Sequence, residues 1–160
     1  MMFHKILIAL AMTAGLSGSA AIAQDDVLLT VTGPDGATLA QYTMTDLEGF
    51  DPVTFETETI WTDGVHSYTG VSLDALLDSL GVDVGDLSAQ AINDYAVIIP
   101  VADAVAGGPI IAYLSDGEPM SIRDKGPLWI IYPFDSVSGY QTETIYSRSI
   151  WQLDRIHVVE

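Results

Sequence analysis

From Asp26 to Thr32 apolar and β-branched residues predominate, and Gly33-Pro34-Asp35-Gly36 follows. That pattern predicts a strand, a turn and a returning strand over 37–43. Thr45-Asp46-Leu47-Glu48, just ahead of Gly49, has the polar start and early acids of a short helix. Val53 to Trp61 alternates apolar or β-branched with polar residues, predicting another strand that ends before the Asp63-Gly64 turn. Leu73, Leu76, Leu77 and Leu80 recur at i, i+3, i+4 and i+7. One apolar stripe at that spacing predicts a helix, with Ser72 as its N-cap and Gly81 as its stop. Continuous apolar runs predict buried strands at 93–101, 109–114 and 126–134, with a tight turn at Ser115-Asp116-Gly117-Glu118, and Arg155 to Val159 alternates as a last strand. Strands outnumber helices. The expected architecture is one α+β domain, rich in mixed or antiparallel sheet, with a few short helices.

The start of the chain changes this picture. Met1 to Lys5 carries one cation, Ile6 to Gly15 is apolar, and Ala21-Ile22-Ala23 is a small-x-small cleavage pattern. Residues 1–23 therefore read as a secretory signal peptide, with the folded domain at 24–160 and a periplasmic destination. Of the 160 residues 49% are hydrophobic, which excludes a disordered acidic tail. The net charge of −17 excludes a basic nucleic-acid-binding surface. Outside the leader the cations are Arg123, Lys125, Arg148 and Arg155, all in the C-terminal part of an otherwise acidic chain. A scarce cation in a negative field suggests a ligand or partner site. The sequence contains no Cys, so thiolate-held metals and thiol nucleophiles are excluded. His66 and His157 lack metal-ligand spacing, and no Gly-x-Ser-x-Gly or Gly-rich phosphate loop is present.

Five segments, in order, resemble one family. They are Phe50–Trp61 followed by Tyr68-Thr69-Gly70-Val71-Ser72-Leu73-Asp74-Ala75-Leu76-Leu77; Asn93-Asp94-Tyr95; Ile111 to Met120; Lys125-Gly126-Pro127-Leu128; and Ser149 to Ile156. Together they resemble sulfite-oxidase-type molybdopterin-binding domains over residues 50–160. Enzymes of that family hold molybdenum through a Cys, whose neighbourhood here is Thr57 to Asp63, with Trp61 and no Cys. The family's phosphate-binding cations are matched by Trp129 and Trp151. With metal ligand and phosphate cations both missing, the chain looks like a non-enzymatic branch, the periplasmic pterin-binding proteins. That resemblance implies a free, tetrahydropterin-like ligand without molybdenum. It also implies a partner, the periplasmic domain of a membrane-bound diguanylate cyclase/phosphodiesterase or histidine kinase. The alternatives are a molybdopterin-dependent oxidoreductase, or its subunit, that lacks the Cys, and an interaction domain without a ligand.

A pterin asks for particular side chains. Its flat ring stacks on aromatic or guanidinium planes, its guanidine-like edge suits a carboxylate, and its carbonyl needs donors. The stacking candidates are Trp61, Trp129 and Trp151, with Trp129 expected on the same side of its strand as Ile131. Arg123, Arg148 and Ser149 are the donor candidates, and Asp94 and Asp124, with Asp116 behind them, are the carboxylate candidates. Tyr95 adjoins Asp94, and Arg155 reads as structural.

Overall fold

The computed structural model describes residues 25–160, so the leader expected at 1–23 lies outside the described residues. Within these described residues the fold comprises two sheets and three α-helices. The strands are β1 (Leu29–Thr32), β2 (Thr38–Tyr42), β3 (Pro52–Glu58), β4 (Val65–Ser72), β5 (Asp86–Ala91), β6 (Ala96–Pro100), β7 (Ile110–Ser115), β8 (Glu118–Pro119), β9 (Trp129–Ile131) and β10 (Leu153–Val159). The helices are α1 (Met44–Glu48), α2 (Leu73–Leu80) and α3 (Glu143–Arg148). The first sheet runs β2-β1-β10-β5-β6, with β1 parallel to β10 and the other pairs antiparallel. The second runs β3-β4-β7, and both β8 and β9 flank the far edge of β7. Among the described residues no helix is long and apolar enough to cross a membrane.

Burial explains the strand patterns. Leu29 and Val31 of β1, Leu87 and Ala89 of β5, and Ile156 and Val158 of β10 face one main core. Ile111 and Tyr113 of β7 meet them there, together with Leu73, Leu76 and Leu77 of α2. On the other face of β7, Ile110 and Ala112 join Tyr68, Trp129 and Ile131 in a second cluster. A strand covered on both faces reads as an unbroken apolar run, which is why β7 and β9 lack alternation. Trp129 and Ile131 do share one side, as alternation requires.

Two strands escape the sequence pattern for different reasons. In β5, Leu87, Ala89 and Ala91 point inward in strict alternation, but two of the three are alanines and give little hydrophobic signal. In β4 the register against β7 shifts between Thr69 and Gly70, so Tyr68 enters the second cluster and Val71 the main core. The irregularity breaks the period of two. Gly70 also lies against β7 so closely that a Cβ would collide with the Ile111 carbonyl, which accounts for glycine at this point.

Caps and ends shift slightly. α1 starts after Thr43, not Thr45, because Thr43 and Asp46 form a reciprocal capping box. Ser72 stands at the N-cap of α2 but makes no side-chain cap; the Leu73 N–H donates to the Pro109 carbonyl instead (3.0 Å). Gly81 ends α2 with φ 68°, a left-handed conformation that favours glycine. The run expected as a strand at 126–134 pairs only over β9, and that at 93–101 only over β6, because Asp94 ahead of β6 takes φ 66° in the turn from β5.

Candidate functional site

A cleft of about 470 Å³ opens where the β5–β6 turn, α3 and the loop after β3 converge. Ala91, Asn93 and Tyr95 come from the β5–β6 turn, and Glu143, Tyr146 and Ser147 from α3. Ser149 to Gln152 contribute from the link into β10, and Ile60 and Trp61 from the β3–β4 loop. Glu143, Tyr146 and Ser147 stand at i, i+3 and i+4, so a single helical face supplies them.

Local bonds fix each wall. The loop carrying Trp61 is held by Asp135, which accepts from the Glu58 N–H at 2.7 Å and the Thr57 hydroxyl at 3.2 Å. The Thr59 hydroxyl then accepts from the Trp61 N–H at 3.2 Å. The link into β10 is tied to the other sheet: Ile130 N–H donates to Ile150, Leu153 N–H to Leu128, and Gln152 N–H to Lys125. The Ile92 N–H bonds the Gln152 carbonyl (2.9 Å), joining the β5–β6 turn to the same link.

The three tryptophans pack edge to face. Trp61 lies 5.6 Å from Trp151 and 5.9 Å from Trp129 between ring centres, and 6.0 Å from Tyr146. Their exposures differ. Trp129 is 1% exposed and donates its indole N–H to the Ser149 carbonyl (3.1 Å), whereas Trp151 is 37% exposed. The Lys125 ammonium stands 5.5 Å from the Trp129 ring centre and 5.3 Å from that of Trp151, a cation–π arrangement.

The structure brings Trp61, Tyr95, Ser149 and Trp151 together in the cleft and takes the other expected residues elsewhere. Trp129 is enclosed in the second cluster. Arg148 points to Asp103 (2.7 Å), which also accepts from the Tyr132 hydroxyl (2.8 Å); burial and that bond push the Tyr132 phenol well above its usual range. Asp94 is paired with Arg155 (2.7 Å), which also holds Asp154. Arg123 is exposed and makes no ion pair among the described residues. Asp124 is exposed, 3.6 Å from Lys125. Of the two arginines among the donor candidates, Arg148 is therefore held by a carboxylate, as are Lys125 and Arg155. Among the described residues no Lys or Arg lines the cleft. Glu143 and Tyr146 are not candidates by sequence, although Thr142 ahead of Glu143 is a helix-start signal that places both on one short helix; Asn93 enters only as part of the Asn93-Asp94-Tyr95 segment.

Asp124, Lys125 and Trp129 border a second, polar groove of about 420 Å³ with His66 and Asp116. The His66 Nδ1 bonds Asp116 at 2.6 Å and its Nε2 faces the Asp63 carbonyl at 3.0 Å. Both partners are acceptors, so the protonated ring satisfies both. The bond to Asp116 raises the His66 pKa, and the same bond, helped by the Ser67 N–H, lowers that of Asp116. For His66 the stabilisation is complete below its ordinary value of 6.5 and is lost as pH rises through the higher folded value. For Asp116 it is present above the ordinary carboxylate range and is lost as pH falls through the lower folded value. The clasp therefore holds best between the two. Asp116→Asn is expected to bring the His66 titration midpoint, read by NMR, down toward 6.5; an unchanged midpoint would show that Asp116 is not the cause.

No protein-family model matches the sequence, and no curated protein matches it either. Among solved structures, the sulfane dehydrogenase SoxCD from Paracoccus pantotrophus is similar, with a TM-score of 0.61 and 17% identity. The similarity covers 82% of this chain and 37% of that one. It shows the fold: an α+β, sulfite-oxidase-like architecture, as the motif order implies.

A molybdenum-bearing cofactor of the kind this fold family implies does not fit the residues present. No thiolate exists in the sequence to hold the metal, and among the described residues no Lys or Arg lines the cleft to meet a phosphate. Among the described residues no group of three His, Asp or Glu stands together as an alternative metal site.

Proposed function

We propose that this chain is a non-catalytic binding module for a free pterin, exported to the periplasm, where it reports ligand to the periplasmic domain of a membrane-bound diguanylate cyclase/phosphodiesterase or histidine kinase. The observation that carries the reading is the cleft itself, walled by Trp61, Trp151, Tyr95 and Tyr146 and, among the described residues, free of Lys and Arg. Its volume of about 470 Å³ suits a small heterocycle. Aromatic walls favour a flat ring, and the lack of cations disfavours a phosphorylated one. The partner and the destination rest on the family resemblance and on the leader-like pattern of residues 1–23.

The test is direct. Protein recovered from the periplasm is denatured, and the released molecule is identified by fluorescence and mass, with metal analysis alongside. A pterin released at about one per chain, with added pterin quenching Trp emission in the emptied protein, is the expected result. Stoichiometric molybdenum would overturn the reading, as would a protein whose Trp emission ignores added pterins.

A further inference from the structure

Among the described residues that line the cleft, Glu143 is the one carboxylate. Outside the cleft, Asp94, Asp103 and Asp124 are paired with Arg155, Arg148 and Lys125. Glu143 has no ion pair and no side-chain hydrogen bond among the described residues, and it is exposed at the cleft. A second polar group is also left over. Ser149 lines the cleft at 2% exposure, and its hydroxyl is buried with no hydrogen-bond partner. Its backbone is already engaged, since the carbonyl accepts from the Trp129 indole. A buried hydroxyl without a partner is costly, so a ligand atom that bonds it gains more than it would in water.

We infer that Glu143 and Ser149 select the ligand by its edges: an unphosphorylated ring with an amino group beside a ring N–H at one edge and a carbonyl or ring nitrogen at the other. This rests on the proposed binding function and names the ligand class for the same cleft. A carboxylate accepts two parallel hydrogen bonds from such a donor pair, as it does from guanidinium. Where the amino group is replaced by a carbonyl, two acceptors face each other and the bond is replaced by repulsion. The analogue lacking that N–H loses the paired bond and sets its carbonyl against the carboxylate, an unfavourable contact that discriminates even where the carboxylate stays hydrated in the free protein. The charge of Glu143 also opposes a phosphate on the ring's side chain, with no Lys or Arg among the described residues lining the cleft to offset it.

The test uses three probes on the full exported protein: hydroxymethylpterin, the corresponding hydroxymethyl-lumazine, in which a carbonyl replaces the amino group, and the phosphate monoester of the pterin. Calorimetric titration of the wild type is expected to favour the pterin over either analogue by about tenfold or more. Glu143→Gln removes the charge at an exposed position and keeps the size, so folding is preserved. In that variant both preferences are expected to shrink severalfold. Ser149→Ala is expected to weaken all three probes, because the hydroxyl serves the edge they share. If the wild type binds pterin but Glu143→Gln keeps the same preferences, the inference falls and the binding function stands. If the wild type binds none of the probes, both fall.

Discussion

Replacing Trp129 with Ala is expected to lower the unfolding free energy by about 3–5 kcal/mol. The indole is 1% exposed and meets Tyr68 at 5.5 Å, Trp61 at 5.9 Å and Trp151 at 6.4 Å, each edge to face. Truncation opens a cavity in the second cluster and leaves the Ser149 carbonyl without its donor. Trp129 also sits where β9 is held on both sides, paired with Ala112 of β7 and bridged to Trp151. The loss therefore reaches the link that forms the cleft's edge. Urea unfolding followed by circular dichroism measures it, and the thermal midpoint should fall by roughly 10 °C. A loss below about 1 kcal/mol would mean that the site refills and that the cluster does not support the cleft's edge.

Trp151→Ala should behave in the opposite way. At 37% exposure the side chain has less to lose on truncation, and the expected stability cost is below about 2 kcal/mol. Ligand binding should suffer instead. Trp151 lines the cleft, and an aromatic–ring stack contributes about 1–3 kcal/mol, so pterin affinity is expected to fall roughly 5- to 150-fold. Calorimetric titration at a temperature well below the variant's midpoint separates the two effects. Unchanged affinity in a folded Trp151→Ala protein would remove this ring from the binding surface. The pair of variants tests one contrast: Trp129 holds the wall and Trp151 presents it.

How much of this was legible depends on the range of the interaction. The stripe Leu73, Leu76, Leu77 and Leu80 predicts α2 correctly because a helix is a local object and its buried face repeats within a few residues. Asp116-Gly117 was legible as a turn for the same reason. The strand β4 was not, because its irregular register against β7 moves successive side chains onto different faces, and that register depends on a strand some forty residues later. In the cleft, Trp61, Tyr95, Ser149 and Trp151 were marked by residue type and motif order. Glu143 was one acid among 22 and carried no mark of its own. Only the fold shows that it lines the cleft, while Asp94, Asp103 and Asp124 are paired elsewhere.

The sequence by itself determined the helix α2, the absence of any thiolate, the acidity, and the three indoles available to build an aromatic wall. These follow from composition and from periodicities of two and 3.6, which need no distant partner. Tertiary structure alone decided what each charge does. Arg148 and Asp103 are 45 residues apart, and Arg155 and Asp94 are 61 apart, yet each pair closes to 2.7 Å. Like charges are interchangeable in a sequence, and an ion pair is set by distance in space. Folding therefore gave those cations to carboxylates outside the cleft and left the cleft with aromatic rings, Glu143 and an unpartnered Ser149 hydroxyl.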